Sequence, residues 1–440
     1  MKKKRVAVTT LGCKVNQYES AVLAGLFQER GYQVVESSDI ADVYIINTCT
    51  VTHLSDRKSR QLIRRAAGTN PEALIAVTGC YAQTSPGKVL EIPGVDMVVG
   101  TGDRGKLVDL VEKALKGQGP VNAVRDYGAG EEFEEVPAFP MQGRARAFLK
   151  IQDGCNNSCT YCIVPQARGP LRSRQPAKVI ETALGLVAAG FKEIVLTGIH
   201  TGSYGQDLSG DVTLAALFDR LSAIPGLQRL RLSSIEPHDI TPDLVEILSG
   251  SPVFCRHLHV PLQSGDDQVL RRMGRRYTTW EYARLINVLR ENIPGLALST
   301  DLIVGFPGET SEQFENTYRF VNKISFSRLH VFKYSPRQGT PAAKFTDQVE
   351  PPVKEERSHR LIEIGEKLAA RFAASMIGQD LEVLVERPSE EGKDLYEGFT
   401  DNYVRTVFPG NEGLCGKIVV IRADQARGST LEGRVIHLIS

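Results

Sequence analysis

Between residues 5 and 115, short β-branched runs (RVAVTTLG, DVYIINT, ALIAVTG, VDMVVG) alternate with longer stretches such as SAVLAGLFQERG and DRKSRQLIRRAAG, which have helical patterning. Strand followed by helix, repeated, predicts an α/β domain with an open parallel sheet over residues 1–116. From 117 to 146 the period is lost: GQGP, the acidic residues Glu131, Glu132, Glu134 and Glu135, and two prolines predict a mobile linker. A second α/β series occupies 147–350, with strands expected at AFLKIQ, EIVLTG, RLRLSS, HLHVPL, LALSTDLIV and RLHVFKY. Six such units predict a partial (β/α)6 barrel. Residues 351–376 read as one charged amphipathic helix. The short runs of 377–440, punctuated by Gly, Pro and Asn, predict a small all-β barrel.

Composition narrows the setting. The 440 residues carry 53 basic and 52 acidic side chains, a net charge of +1, so any attraction to a polyanion must be local. The opening MKKKR is followed by a segment too short and polar for a signal-peptide core, and no run of about 18 apolar residues occurs, so a cytoplasmic location without a membrane partner is expected. In a reducing compartment, closely spaced thiols are more often metal ligands or catalytic groups than disulfides.

Three of the eight cysteines are close together. Cys155, Cys159 and Cys162 stand as C-x-x-x-C-x-x-C in GCNNSCTYC, with no fourth cysteine near. Structural zinc sites built from cysteine close with four ligands; three thiolates on a cubane cluster leave one iron open. The spacing, with Tyr161 before the last cysteine, resembles that of the radical S-adenosylmethionine (SAM) enzymes. The loop follows AFLKIQ, at the C-terminal mouth of the first barrel strand, the face where active sites collect. Other strand ends present Thr197, Gly198, Ser234, Glu236, Gln263 and Asp301 there. The resemblance implies that Thr197 and Gly198 face the SAM amino group, that Glu236 and Gln263 reach polar groups of the ligand, and that Ile303 and Val304 pack on adenine. Tyr161 and Ser234 complete the expected SAM contacts. The chain departs from the commoner Gly-Gly-Glu motif, having Thr197-Gly198-Ile199-His200 instead.

Cys13, Cys49 and Cys80 each end a predicted strand, about one βα unit apart. Ligands of an open parallel sheet bind beyond the carboxyl ends of its strands, so these three can converge on a second metal centre. Cys255 and Cys415 have no partner spacing and read as structural thiols. LGCKVNQYES, the INTC and TGC cysteines, GCNNSCTYCIVPQARG and the terminal β domain together resemble the methylthiotransferases of the radical SAM superfamily. That resemblance implies an auxiliary 4Fe-4S cluster on Cys13, Cys49 and Cys80 and a radical-generating 4Fe-4S cluster on Cys155, Cys159 and Cys162. It also implies two SAM molecules and a C-terminal TRAM domain that grips substrate. A sulfur donor and a reducing partner such as flavodoxin or ferredoxin are implied as well.

ARGPLRSR and GFTDNYVRTVFPG most resemble the branch that methylthiolates carbon 2 of N-threonylcarbamoyladenosine beside the tRNA anticodon. Relatives act on isopentenyladenosine in tRNA or on a ribosomal-protein aspartate. From another class, a non-catalytic RNA-binding iron-sulfur redox sensor is the alternative. Arg168, Arg172, Arg174, Arg275 and Arg276 beside the barrel mouth are candidate RNA contacts. Tyr403 and Arg405 in the β domain join them, with Tyr396 and Phe399 as possible stacking partners, although 376–440 holds 7 basic and 11 acidic residues. The Gly100–Gly105 segment matches G-x-G-x-x-G, but no further strand with its acidic residue is expected, so it reads as a turn with Asp103 capping a helix.

Overall fold

The computed structural model describes residues 3–119, 121–128, 130–137, 139 and 143–439. Its first domain is a six-stranded parallel sheet of β1 (Arg5–Thr10), β2 (Gln33–Val35), β3 (Val43–Thr48), β4 (Leu74–Gly79), β5 (Met97–Val99) and β6 (Asn122–Ala123), in the order β2-β1-β3-β4-β5-β6. β3 and β4 are buried along their whole length, as expected for central strands covered on both faces. Thr10 pairs with Asn47 and Thr48 with Gly79, so the carboxyl ends of β1, β3 and β4 lie level.

The second domain places β7 (Arg146–Lys150), β10 (Glu193–Thr197) and β11 (Arg229–Leu232) in one parallel sheet, and β12 (His257–His259), β13 (Ala297–Val304) and β14 (Arg328–Lys333) in another. Bridges Leu230–Phe254 and Ser234–His259 join them into one curved wall of six strands. The short antiparallel pair β8 (Gln152–Asp153) and β9 (Arg172–Ser173) frames the three-cysteine loop. Strand alternation sorts the side chains. Ile194, Leu196, Leu230, Leu232, Leu258, Leu298, Leu302 and Val304 join the apolar shell beneath the helices. The intervening Glu193, Thr197, Arg229, Arg231, His257, His259, Ser299, Asp301, Arg328 and His330 therefore face the interior.

The first domain spans the gap between β7 and β14. On one flank, Glu19 of the helix Lys14–Glu29 accepts from Lys150 Nζ at 2.8 Å. On the other, Arg337 beyond β14 donates to Asp56 at 2.7 Å, and the His53 backbone N–H donates to Ser335 at 3.1 Å. The helix Pro351–Ala374 leads to a closed barrel of β15 (Asp380–Pro388), β16 (Leu395–Thr400), β17 (Arg405–Pro409), β18 (Ile418–Arg427) and β19 (Thr430–Leu438), in the order β15-β16-β17-β19-β18. It docks on the N-terminal ends of the central strands. Arg229 donates to the carbonyls of Phe399 (3.1 Å) and Glu382 (2.8 Å), and Arg231 to that of Asp401 (2.9 Å).

Two expectations are corrected. The segment read as a mobile linker adds β6 to the sheet, and Glu131, Glu134 and Glu135 pair with Arg125, Arg104 and Arg174. Its acidity neutralises guanidiniums at the domain junction; residues 120, 129, 138 and 140–142 of that segment lie outside the described ones. Asp103 adopts a left-handed conformation (φ 55°) before a 3-10 turn and makes no side-chain cap. Its carboxylate is taken by Arg125 and Lys106.

Candidate active site and cluster centres

The LGCKVNQYES segment builds the first thiol trio. Gly12 (φ 121°) lies against Cys49, where an added Cβ would stand 3.0 Å from the Cys49 Cβ. Cys13 follows and opens the helix Lys14–Glu29. Asn16, one turn on, donates to the carbonyls of Leu11 (2.8 Å) and Thr48 (3.0 Å), tying the Cys13 turn to the end of β3. Asn47 in turn donates to the Asn16 carbonyl and to Ser20 Oγ, each at 3.0 Å. Gly79 (φ 93°) has room for no side chain: a Cβ would meet Thr48 O at 2.4 Å. That close approach brings Cys80 beside Cys49. Burial pushes up the thiols of Cys49 and Cys80, the latter to about 12, and each feels the charge of Cys13.

The second trio stands on a braced loop. Gln152 Nε2 donates to the carbonyls of Asp153 (2.7 Å) and Gly154 (2.5 Å), and its Oε1 accepts the His200 backbone N–H at 2.7 Å. Gly154 (φ 71°) packs so tightly that a Cβ would fall 1.8 Å from Pro170 O. Cys155 N–H donates to Gly169 O at 3.1 Å, and Thr160 N–H to Met273 O at 2.9 Å. Burial raises Cys159, and raises Cys162 to about 12, and all three sulfurs interact electrostatically.

Each trio has a cationic partner. Arg168, wholly buried on the helix Val164–Arg168 just after Cys162, donates from Nε to Cys80 Sγ at 3.3 Å. It also donates to Asn16 at 2.6 Å and pairs with Glu19. One side chain thus links the loop of the second trio to a sulfur of the first. Arg275 donates to Cys159 Sγ at 3.5 Å and pairs with Glu236. His200 lies 3.7 Å from Cys155 Sγ and 2.6 Å from Asp239. Burial opposes its charge, yet Asp239 and Cys155 outweigh that and raise it to about 10. At His200, where the chain departs from the commoner motif, the protonated form is thereby favoured beside a loop sulfur.

The donor sets fit iron-sulfur clusters. All eight cysteines are free, six of them grouped as two trios, and guanidiniums donate to one sulfur of each trio. A thiol held high by burial is deprotonated once a metal binds it, and nearby cations offset the negative charge of a thiolate-ligated cluster.

The other expected SAM contacts gather at the mouth of the wall. Tyr161 packs edge to face with Phe306 at 6.5 Å. Thr197 ends β10, and Gly198 follows it against Gln152 and Thr201. Ser234 O accepts from Thr201 Oγ1, and Gln263 (φ 67°) bridges to Leu302, its carbonyl accepting the Ile303 N–H at 2.9 Å. Val304, expected to pack on adenine beside Ile303, is instead buried in the shell beneath the helices, because adjacent strand residues face opposite ways.

The arginines expected to contact RNA divide. Arg168, Arg172 and Arg174 are buried, and the last two are engaged by Arg168 O and by Glu135. They sit at the domain junction because the acids Glu19, Asp153 and Glu135 meet them there. Arg275 is bound to Glu236, Arg405 is paired with Glu391 and Glu397, and Arg276 alone of the set is exposed. Tyr403 (φ 70°) enters the lower end of the partial barrel: its ring lies 4.5 Å from the Arg231 guanidinium, 5.1 Å from that of Arg146 and 5.0 Å from the His257 ring. Phe399 stacks on it at 5.1 Å, and Tyr396 packs in the small barrel's own core. His257 and His259 both face the interior and share Ser299 Oγ at 2.9 Å.

Sequence reasoning left out Asn16, Glu19 and Lys14. An acid within the buried stripe Val15, Tyr18, Glu19, Val22 and Leu23 of an amphipathic helix was a legible signal for Glu19.

Comparison with known proteins agrees with this architecture. Residues 149–321 match the Radical SAM superfamily, residues 374–436 the TRAM domain, and residues 5–100 a family described as uncharacterized protein family UPF0004. A radical SAM methyltransferase, TsrM from Kitasatospora setae, shares the fold over 76% of this chain and 77% of its own, with TM-score 0.55 and 17% identity. The chain is a radical SAM enzyme, a class that uses SAM and a 4Fe-4S cluster. It is 49% identical over 437 residues to threonylcarbamoyladenosine tRNA methylthiotransferase MtaB of Bacillus subtilis, covering 99% of this chain and 97% of the relative. It is 38% identical over 441 residues to tRNA-2-methylthio-N(6)-dimethylallyladenosine synthase of Moorella thermoacetica, covering 99% of both. The chain therefore belongs to the radical SAM tRNA methylthiotransferase family.

Proposed function

We propose that this enzyme transfers a methylthio group to carbon 2 of N-threonylcarbamoyladenosine at position 37 of tRNA, using two SAM molecules and two 4Fe-4S clusters. Cys155, Cys159 and Cys162 would hold the radical-generating cluster, and Cys13, Cys49 and Cys80 the auxiliary one. The observation that carries this reading is the Arg168 link, which joins Cys80 to the helix directly after Cys162 and so supports one chamber served by both centres. When bound, the clusters and SAM supply a primary carbon radical and deliverable sulfur, because no side-chain base removes an aromatic C–H proton usefully. The chain's own residues hold that chemistry in register. Arg168 and Arg275 neutralise cluster charge, and the first domain closes the open flank of the wall against water. By the same reading Thr197, Gly198, Ser234, Glu236, Gln263, Ile303 and Tyr161 form the SAM cradle, without Val304, whose side chain faces the helices. A sulfur donor and a small reducing protein such as flavodoxin or ferredoxin act as partners in the cytoplasm. Among the described residues, no helix is long and apolar enough to cross a membrane.

Nucleoside mass spectrometry of tRNA from cells lacking the protein tests the assignment. Loss of 2-methylthio-N-threonylcarbamoyladenosine with accumulation of its unthiolated precursor is expected. Loss of the isopentenyl derivative instead would redirect it. Anaerobically prepared protein should hold about eight irons per chain, twice the content of one 4Fe-4S cluster; about four would remove the auxiliary centre.

A further inference from the structure

Below the two thiol trios, the interior of the partial barrel holds, among the described residues, more cationic side chains than acids. Lys14, the residue after Cys13, sends its ammonium into this space, 5.9 Å from the centre of the Tyr403 ring. His257 and His330, on the facing strands, lie in its field and in that of Arg328. Arg328, exposed on the edge strand β14, stands opposite Ser299 in register and shares a small cavity with His257, Asn402, Tyr403 and Phe372 at the rim of this interior. The acids nearby are already engaged. Glu193 is wholly buried against Arg231, with Arg146 and Arg229 within 3.7 Å. Asp301 is held between His259 at 3.2 Å and His330 at 3.6 Å. Among the described residues, the side chains of Lys14 and Arg328 have no ion-pair or hydrogen-bond partner.

We infer that Lys14, assisted by Arg328, is the receptor for an anionic substituent on the substrate base, binding the terminal carboxylate of the N6 side chain. This rests on the proposed function and deepens it, because it names what in this chain distinguishes a carboxylate-bearing base from an apolar one. Lys14 directly follows Cys13 at the start of the helix Lys14–Glu29. A base whose reacting carbon meets the auxiliary centre has its substituent within reach of the next side chain along. A prenyl group there would leave the ammonium desolvated and unpaired, the arrangement by which a polar site rejects an apolar analogue most strongly. Tyr403 forms the floor of the receptor, and its left-handed backbone and its stacking on Phe399 and His257 hold it there. Lys14 is thus a specificity-determining residue and takes no part in bond making.

The test measures kcat/KM on anticodon stem-loop RNA carrying threonylcarbamoyladenosine or its methyl ester, in which the carboxylate charge is masked. The wild-type enzyme should prefer the acid by about 100-fold, chiefly through KM, the scale for losing one partner of a desolvated charge pair. Lys14→Met should bring that ratio close to one, and Lys14→Arg should restore most of it. Because the ratio is internal to each protein, partial loss of clusters cancels. Should Lys14→Met assemble no clusters at all, Arg328→Met, remote from the cysteines, decides, with an expected fall of about 10-fold in the same ratio. A wild-type ratio in both Met variants overturns the inference while leaving the proposed function intact. A wild-type enzyme that modifies only isopentenyl RNA overturns both.

Discussion

The two thiol trios reach similar ends by opposite routes. Cys155, Cys159 and Cys162 occupy eight consecutive residues, and their loop is fastened by local bonds from Gln152 and by the close Gly154–Pro170 contact. Cys13, Cys49 and Cys80 come from three helix-separated strands, and nothing joins them until β1, β3 and β4 lie side by side in parallel register. The first site is a property of a loop, the second of a sheet. The compact trio needs only its own turn and the barrel mouth, whereas the dispersed one is as good as the packing of Gly12, Gly79 and Asn16. Arg168 makes the second depend on the first, because it grips Cys80 from the helix following the loop.

The largest effects should come from removing a ligand. Cys159→Ala should abolish SAM cleavage, read as loss of 5'-deoxyadenosine by at least about 1,000-fold, the scale on which loss of an essential catalytic group falls. Cys49→Ala should end methylthio transfer yet leave SAM cleavage measurable. Equal loss of both activities in the two variants would erase the functional division between the trios. Glycine substitution gives a graded version. Gly79→Ala forces a left-handed residue and a 2.4 Å contact with Thr48 O, and should cost about 1–3 kcal/mol with iron lost from the auxiliary site first. Gly154→Ala, with its Cβ 1.8 Å from Pro170 O, should instead lose iron from the radical site first. Iron content and absorbance of the reconstituted proteins decide between them.

Arg168→Met sharpens the link between the sites. It removes the Cys80 contact and leaves Glu19 with less compensation among buried charges, a class of change worth about 3–5 kcal/mol when a buried pair is broken. Thermal unfolding should report that loss, and the auxiliary cluster should become more labile than the radical one. Equal lability would show that the two sites do not communicate through this side chain.

What the sequence revealed follows the same division. The loop spacing and all six barrel strands were legible, because contiguous ligands and apolar runs are local signals. The dispersed trio was legible through a general rule, that parallel strands present their carboxyl ends together. The short strands β2 and β6 were not, since two or three residues carry no period. Nor was the fate of the arginines. From one dimension, Arg168, Arg172 and Arg174 look like a basic surface patch. Only the fold shows Glu19, Asp153 and Glu135 arriving from distant segments to bury them. Tyr403 followed the same course: an aromatic in a β domain suggested base stacking, and docking turned it into the floor of another domain's interior.

The smallest expected effect concerns acid stability, and it tests whether the junction holds the trios in place. Glu19 is buried, which alone would raise its carboxyl, but Arg104, Arg168 and Lys150 outweigh burial and hold it at about 2, below its ordinary 4.5. A carboxylate depressed on folding stabilises the protein fully above the unfolded value and loses that contribution as the pH falls through the folded one. Between about pH 4.5 and 2 the native state should therefore lose stability progressively, the first domain loosening from the barrel as Glu19 takes up its proton. Glu19→Gln should be less stable at neutral pH and should show a shallower decline over that interval, because the titrating group is gone. Asp153, held low by Lys150, Arg168 and Arg104 against its own burial, remains in the variant and keeps some slope at the acid end. Urea midpoints measured at several pH values separate the two. An acid limb of unchanged steepness in the variant would mean that Glu19 does not tie the dispersed trio's domain to the loop's.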